Sequence, residues 1–457
     1  MSAVPDVVAA PVVVEEANRT HMSWGFAELF LISQTALPAL LYLPGTQPFR
    51  LPIRVSAFAI SLAAFAWWQI DSTIHISAPK VQSWAAAIIA LLTLMLFHPS
   101  TPNILGGLAH IGVYVAVIAP LFWAPVFVRT PERLARLFWI LLLCSGANSV
   151  IGVLQVYNPS RWLPAEFSTI VTSGVMGLGP VSFHGPNGQL IVRPPGLFDT
   201  PGAVAGPGMS AALLGLVFAT SAMVPAWKRV LSLTLSGAGL AAIYLSQVRI
   251  SMVIAVLMVI VYVMTTFRQG RYARGTQLAI LGGAMVFVSF LLALALGGTA
   301  IQDRVMTLLT GDPISVYKSA RGVQLNLTFS ELLFDHPFGS GLARWGMAAG
   351  YFGTFDPLRP PLWAEIQFTG WMIDGGILLI ALYCGAIVLT ALSEWQVAIH
   401  SRVPRLATCA AVTLAANLGV AALIFSFTPF VTQIGIQYWF LAGALHGVAT
   451  RYGDSAA

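Results

Sequence analysis

Apolar stretches about as long as a bilayer is thick follow one another along almost the whole chain. A helix needs about 20 predominantly apolar residues to cross the hydrocarbon core, and about twelve stretches meet that need. Hydrophobic residues make up 57% of the 457 residues and charged residues only 9%, a composition far outside the range of soluble domains. The sequence therefore predicts one all-α integral membrane domain. The candidate spans are 25–44, 54–70, 83–98, 104–128, 135–157, 203–224, 229–246, 250–266, 277–297, 366–392, 405–427 and 432–449.

The spans divide the chain into two membrane blocks separated by a long connection. Long loops without secondary structure are uncommon unless they are functional. One long outer segment, 158–202, lies within the first block, and 298–365 forms a large outer loop. Arg321–Asp335 in this loop is predicted to be an amphipathic helix, and the alternative is a strand at its start, since 323–327 also alternates. The full division is a cytoplasmic tail at 1–24, spans 1 to 9 at 25–297, the large loop at 298–365, spans 10 to 12 at 366–449, and a second cytoplasmic tail at 450–457.

The basic residues are distributed unusually for a multi-span protein. Lys and Arg normally collect in cytoplasmic loops, and the dense group Arg268, Arg271 and Arg274 marks one such loop. With both termini cytoplasmic, ten of the 23 basic residues still fall on the outer side. Cations held at an outer membrane surface indicate a polyanionic ligand there, such as a lipid-linked phosphate. The ten are Arg50, Arg54, Arg161, Arg193, Arg249, Arg304, Lys318, Arg321, Arg344 and Arg359.

Arg193 and Arg249 occupy the most constrained outer positions. Arg193 opens the segment RPPGLFDTPG, whose prolines and glycines predict a rigid turn just before a span. Arg249 follows a very short connection between spans 7 and 8, so it must lie at the bilayer edge or inside the bundle. An arginine at membrane depth costs roughly 3 kcal/mol and is usually retained where it has a partner. The alternatives are headgroup contact for Arg193 and snorkelling to the interface for Arg249.

Arg321 begins the predicted loop helix and is a third candidate for binding an anion. A structural ion pair with Asp303, Asp312 or Glu331 is the alternative. Arg304 and Arg344 are weaker candidates for substrate binding, since ordinary headgroup or ion-pair contacts would also explain them. Arginine suits all these positions because its planar donors fit phosphate oxygens.

Two carboxylates at the start of span 10 are candidates for chemistry. Glu365 enters the span and could act on a hydroxyl group, or it could simply pair with an arginine at the interface. Asp374 lies deeper, where carboxylates are expensive and often functional, although a hydrogen bond between helices is the alternative. Trp363 could stack on a sugar ring, and membership of an interfacial aromatic belt is the commoner explanation for such a residue.

Other chemistries lack support. The sequence contains no HExxH, CxxC or P-loop pattern and no paired aspartates for a divalent ion, so we expect no metal and no cofactor. No loop has a basic stripe with interleaved aromatic residues, so nucleic acid is not an expected partner.

Four short motifs, taken in order, resemble the bacterial O-antigen ligase and O-antigen polymerase superfamily over residues 190–390. Each motif is loose, and their order and spacing carry the likeness. They are RPPGLF from Arg193, SxxR ending at Arg249, the loop Arg321 ahead of DHPFGSG, and the DGG that begins at Asp374.

This resemblance implies a GT-C-like glycosyltransferase of the bacterial inner membrane with its active site facing the periplasm. The implied donor is a glycan on undecaprenyl diphosphate, the acceptor is a hydroxyl group on a glycan or lipid, and no metal is needed. Arg249 and Arg321 would bind the diphosphate and Glu365 would act on the acceptor, with inversion at the anomeric carbon. A chain-length regulator or a flippase would be natural partners.

One departure from the family bears on the acceptor. Family ligases usually have a His-Asn pair about nine residues before the acidic residue of span 10, where this chain has Glu365-Ile366. We therefore favour a polymerase over an O-antigen ligase that uses the lipid A core, or a protein O-oligosaccharyltransferase. A polysaccharide or lipid transporter is the alternative of another class, although no repeated halves are evident.

Overall fold

The computed structural model describes residues 24–70, 80–167, 178–352 and 362–452, and these residues are mainly α-helical. Most of the two predicted tails, and Arg359, lie outside the described residues. Eight described helices are long and apolar enough to cross a membrane, which confirms the all-α membrane class. They are Gln47–Ile70, Ile104–Phe127, Pro131–Tyr157, Ala226–Ser246, Arg249–Arg268, Tyr272–Gly297, Gln367–His400 and Pro404–Phe425.

The other four predicted spans also coincide with helices. Three are apolar helices of 10–17 residues, namely Phe26–Tyr42, Lys80–Met95 and Ala205–Ala219. The fourth is Gln433–Arg451, which is 19 residues long. In chain order the helices before the hairpin are α1 Phe26–Ala39, α2 Arg50–Ile70, α3 Lys80–Met95, α4 Ile104–Ile118, α5 Pro120–Phe127, α6 Pro131–Tyr157 and α7 Pro159–Trp162.

The hairpin β1 Ser182–His184 and β2 Leu190–Val192 lies in the first long outer segment, where no strand was predicted. The next helices are α8 Ala205–Ala219, α9 Ala226–Ser246, α10 Arg249–Arg268, α11 Tyr272–Gly297 and α12 Thr299–Leu309. The large loop then contains α13 Pro313–Tyr317, α14 Val323–Leu327, α15 Leu333–Asp335 and α16 Gly346–Phe352, and the chain ends with α17 Gln367–His400, α18 Pro404–Ala422 and α19 Gln433–Arg451.

The helix predicted over Arg321–Asp335 is present but differs in form. It is part of a longer helical run from α13 to α15, in which the turns Lys318–Gly322 and Thr328–Leu332 are wide π turns. Thr328 is its buried point, and its hydroxyl lies 2.7 Å from the hydroxyl of Thr369 on α17. The run therefore packs against the start of α17.

Helix α17 is broken near its outer end. Gly375 and Gly376 have non-helical dihedrals, and Gly376 has a positive φ of 64°. The large loop satisfies backbone groups on both sides of the break: Ser340 N donates to the carbonyl of Ile373 at 2.7 Å, and Ile377 N donates to the carbonyl of Pro337 at 3.0 Å. Irregular backbone inside a membrane protein is tolerated where protein groups satisfy it, so the loop and the break form one unit.

Candidate functional site

The two ends of the bundle can be told apart from contacts between helix ends. Gln269, just after α10, donates to the carbonyl of Ala398 near the end of α17 at 2.9 Å. Arg271 donates to Thr408 near the start of α18 at 2.6 Å. Because the ends of α10 and α17 meet, Arg249 at the start of α10 and Glu365 before α17 both belong to the opposite end, which we call the outer end.

Arg193 is fixed at the outer end by backbone bonds. Its amide donates to the carbonyl of Val181 at 2.9 Å, and its carbonyl accepts from the amide of Gly202 at 3.2 Å. The turn that follows is held by polar side chains of α6. Gln155 bonds both the amide and the carbonyl of Gly196, at 2.8 and 2.7 Å, and this glycine has a positive φ of 68°. A turn therefore follows Arg193, and hydrogen bonds from α6 hold it in place.

Asp199, in the same turn, forms ion pairs with two of the ten predicted outer cations, Arg50 and Arg54. Its buried carboxylate lies 3.0 Å from Arg50 Nε and 3.0 Å from Arg54 Nη2. These arginines at the start of α2 are thus neutralised by a structural ion pair that joins α2 to the turn.

Arg249 reaches the outer end through a tight turn between α9 and α10. Gln247 adopts the left-handed region with φ of 55°, and the hydroxyl of Ser246 accepts from the amide of Val248 at 3.2 Å. The carbonyl of Gln247 in turn accepts a hydrogen bond from Arg304 Nε at 3.1 Å. A left-handed residue other than glycine is uncommon, and here it lets the chain reverse within two residues.

Arg193, Arg249 and Arg304 come together as a group that we call the arginine trio. Burial, followed by the nearby charges of Arg249 and Arg193, lowers the pKa of Arg304 to about 10. Burial, followed by the charge of Arg249, also lowers the pKa of Arg193. Within the described residues no carboxylate pairs with any of the three, and the buried Nε atoms of Arg193 and Arg249 have no hydrogen-bond partner there.

Three mutually repelling guanidinium groups with spare donors form a site suited to a multivalent anion. An oxyanion would remove the repulsion and satisfy the donors, and phosphate oxygens match the planar geometry of arginine. Of the predicted site residues, the structure brings these three together.

Arg321 belongs to a second group at the outer end. It forms an ion pair with Glu365 in place of the partners predicted as alternatives, Asp303, Asp312 and Glu331. Trp363 Nε1 donates to the same carboxylate at 3.0 Å. Burial alone lowers the pKa of Arg321, whereas neighbouring arginines contribute for Arg193 and Arg304, so Arg321 is not part of the trio.

The backbone of Glu365 is also fixed. Its amide donates to the side-chain oxygen of Gln324 on α14 at 2.7 Å. The carboxylate remains about one-third exposed, and Trp363 is 70% exposed. The group therefore exposes parts of a carboxylate, a guanidinium and an indole at the outer end of the bundle.

Asp374 is fully buried, and protein donors surround its carboxylate. It accepts from the hydroxyl of Tyr114 at 2.7 Å and from Trp345 Nε1 at 2.9 Å, and His110 Nε2 lies 3.3 Å away. His110 Nδ1 accepts from the amide of Ala343 at 3.0 Å, so Nε2 carries the hydrogen of a neutral ring. This network joins α4, α17 and the large loop.

Arg344 lies beside this network. It is buried and donates to the carbonyl of Ser340 at 3.3 Å. Sequence reasoning missed His110, which has no histidine, cysteine or carboxylate near it in sequence that would signal a site. It also missed Asp199 as the partner of Arg50 and Arg54.

Comparison with protein-family models found no match to this chain, and comparison with curated proteins found none. The fold defines a multi-pass α-helical membrane protein. The outer end of its bundle carries the arginine trio, which no described carboxylate neutralises, and a separate carboxylate group around Glu365.

Proposed function

We propose that the chain is a GT-C-like glycosyltransferase with about twelve spans, and that it acts at the periplasmic side of the bacterial inner membrane. It transfers a glycan from undecaprenyl diphosphate to a hydroxyl acceptor, and we favour polymerisation of O-antigen or exopolysaccharide repeat units. The arginine trio carries the proposal, because its three cations lie together without a carboxylate among the described residues.

The trio would act on the leaving group. The acceptor oxygen forms a bond to the anomeric carbon while the bond from that carbon to the diphosphate oxygen breaks. Negative charge grows on the lipid diphosphate, and guanidinium groups already in place stabilise it without reorganisation. Arg193 and Arg304 thereby join Arg249 as diphosphate ligands.

The Glu365 group would act on the acceptor. Its carboxylate accepts the hydrogen bond of the attacking hydroxyl and receives the proton as the new bond forms, and Trp363 offers a face for the acceptor sugar. The pairing of Arg321 with Glu365 favours a role in orienting this carboxylate over the diphosphate contact that the family resemblance implies.

The direct test is transfer by the purified protein, reconstituted in liposomes, from a lipid-diphosphate-linked glycan. We expect Arg193→Gln, Arg249→Gln and Arg304→Gln each to reduce the rate about a hundredfold, the usual effect of losing one transition-state donor. Arg161→Gln is the matched control, because Arg161 is an exposed outer cation beside Trp162 and outside the trio. Normal rates in all three trio variants would refute the assignment.

Glu365 is tested separately. If it takes the proton, Glu365→Gln should lose activity and Glu365→His should retain part of it, since imidazole can also accept a proton. Full activity in Glu365→Gln would exclude the proton-accepting role while leaving the trio untouched.

The glycan profile of a deletion strain separates the acceptors. Loss of long chains with a single repeat retained on lipid A indicates a polymerase. Accumulation of full-length glycan on the lipid carrier indicates a ligase, and loss of glycosylated protein indicates a protein O-oligosaccharyltransferase.

A lipid or polysaccharide transporter is a second candidate, because broken helices are typical of transporter binding sites and α17 is broken at Gly375 and Gly376. Movement of the lipid-linked glycan across liposomes without formation of a new glycosidic bond would favour it.

A further inference from the structure

Glu394 is a buried carboxylate that the proposed reaction does not use. It lies on α17 and is only 3% exposed. Its Oε1 accepts from Asn417 Nδ2 on α18 at 2.6 Å, whereas its Oε2 has no hydrogen-bond partner among the described residues. An ionised carboxylate left in this state inside a membrane bundle is destabilising by several kcal/mol unless a cation neutralises it.

The carboxylate borders a small cavity of about 20 Å³. A cavity needs roughly 10–15 Å³ to hold one water molecule, so this one accommodates a single water or a single small ion. A sugar, a phosphate or a lipid headgroup does not fit. The lining residues come from α3, α5, α17 and α19, and its polar members are Thr390, Ser393, Glu394 and His446.

The cavity lies away from the arginine trio. It contacts Val81 at the start of α3, Val397 near the end of α17 and Ala449 near the end of α19. Gln269 and Arg271 show that the end of α17 belongs to the end of the bundle opposite Arg249. The cavity is therefore in the half of the bundle that faces the predicted cytoplasm.

Few titratable groups of the described residues lie near Glu394 on the packed elements. On α19 they are His446, which lines the cavity and lies 3.3 Å from the hydroxyl of Thr450, and Tyr438, which interacts with the charge of Glu394 from outside the lining. Lys80 precedes the lining residue Val81 on α3. α5 contributes Leu121, and Asn417 on α18 is neutral.

We propose that Glu394 and this cavity form a binding site for one monovalent cation, either H⁺ or Na⁺, reached from the cytoplasmic side. The ligand chemistry is common to both ions: a positive charge of atomic size neutralises the carboxylate at its vacant oxygen. The hydroxyl oxygens of Thr390 and Ser393 are the other oxygen donors in the lining. The site is independent of the glycosyl-transfer proposal and would hold for a transporter as well.

The sodium arm uses the purified protein in detergent, with choline chloride as the salt control. If the ion is Na⁺, NaCl should raise the unfolding midpoint by about 2–4 °C and reach a plateau, because a ligand that binds only the folded state stabilises it. Choline chloride at equal concentration should give no such rise, and Glu394→Gln should lose it. Asp303→Asn, which removes an exposed outer carboxylate, should keep it.

The proton arm uses infrared difference spectra of the wild-type protein between acidic and alkaline buffer. If the ion is H⁺, acidification should produce a protonated-carboxyl band at the high frequency typical of a carboxyl shielded from water, distinct from the bands of the exposed glutamates. This band should shift on carbon-13 labelling of glutamate and disappear in Glu394→Gln. Glutamine keeps the oxygen that Asn417 contacts, and the wild-type measurements decide the matter even if that variant accumulates poorly. A wild-type protein with neither a sodium response nor this high-frequency glutamic acid band would overturn the proposal, and so would responses that Glu394→Gln retains.

Discussion

Arg304 Nε donates a hydrogen bond to the backbone carbonyl of Gln247 over 3.1 Å, and this contact ties the first helix of the large loop to the turn that leads into α10. Arg249 lies two residues after that carbonyl. The large loop thus places Arg304 beside Arg249, a second cation that α10 holds. Bringing like charges together opposes folding, so the arrangement is best explained by an anion that the site exists to bind.

Replacing Arg304 should therefore stabilise the protein while weakening anion binding. The pKa of Arg304 is about 10 in the folded protein, below the value of 12.5 expected in the unfolded chain. At neutral pH the charged guanidinium therefore destabilises the folded state. This loss of stability is relieved only as the pH rises through about 10. Because Arg304 is half-exposed, we expect Arg304→Gln to stabilise the ligand-free protein by only about 1 kcal/mol.

The measurement is the unfolding midpoint with and without inorganic pyrophosphate. Pyrophosphate should raise the midpoint of the wild-type protein and raise that of Arg304→Gln less. Lys318→Gln, at an exposed loop position, is the control and should change neither value. If Arg304→Gln without ligand unfolded at a lower temperature than the wild-type protein, repulsion between Arg304 and the other two arginines would not be destabilising.

Asp374 offers a second prediction, because its three donors come from two distant parts of the chain, α4 and the large loop. In Asp374→Asn the new amide group would face Tyr114, Trp345 or His110, all of which donate to this position. Leaving a buried donor unpaired costs about 1–3 kcal/mol. We expect a lower unfolding midpoint and faster proteolysis between 336 and 352, where the large loop is held by this network.

A direct role of Asp374 in substrate binding would give another result. Activity would then fall while the midpoint and the proteolysis pattern stayed at wild-type values. Phe338→Ala is a control within the same loop, since that side chain is 73% exposed.

The membrane helices could be predicted from sequence because each depends on a local property, namely a run of apolar residues between polar ends. Each of the twelve predicted stretches coincides with a described helix, and eight of these helices are long and apolar enough to cross a membrane, although α17 runs to His400, well beyond the predicted end at 392. The short connection before Arg249 likewise predicts that this arginine lies at the bilayer edge or inside the bundle. Such inferences need no knowledge of distant parts of the chain.

Long-range pairing could not be predicted in the same way. Arg193 and Arg304 reach Arg249 from different loops, and His110 meets Asp374 from a helix far away in sequence. Nothing local distinguishes Arg304 from Arg50, yet Asp199 neutralises Arg50 while Arg304 joins the trio. The wide π turns Lys318–Gly322 and Thr328–Leu332 also could not be predicted, because the apolar periodicity there indicates a regular α-helix.

Glu28 predicts a strong effect at the inner end. Its fully buried carboxylate lies 2.7 Å from Arg133 Nη2 and 2.9 Å from Arg136 Nη2, and it joins α1 to α6. Glu28→Gln would leave two cations beside an uncharged group, and breaking a buried pair in this way costs about 3–5 kcal/mol. Glu132, which pairs with Arg405 at an exposed position, is the matched comparison, and Glu132→Gln should cost less than about 1 kcal/mol. Equal thermal unfolding midpoints for Glu28→Gln and Glu132→Gln would show that burial does not set the strength of these ion pairs.

The break in α17 gives the sharpest test of the loop as a structural unit. At Gly376 the backbone has φ of 64°, and an added Cβ would overlap the carbonyl of Pro337 and lie 2.6 Å from the carbonyl carbon of Phe338. Gly376→Ala therefore combines a strained backbone with a clash against neighbouring backbone atoms, and we expect the free energy of unfolding to fall by about 3 kcal/mol or more.

Gly283 on α11 is the control, since an added Cβ there meets nothing within 4 Å. Gly283→Ala should be neutral or slightly stabilising, because alanine favours the helix by about 1 kcal/mol. Thermal unfolding, monitored by size-exclusion chromatography, gives the unfolding midpoint of both variants. A midpoint for Gly376→Ala as high as that of Gly283→Ala would mean that the large loop is not docked at the break in α17.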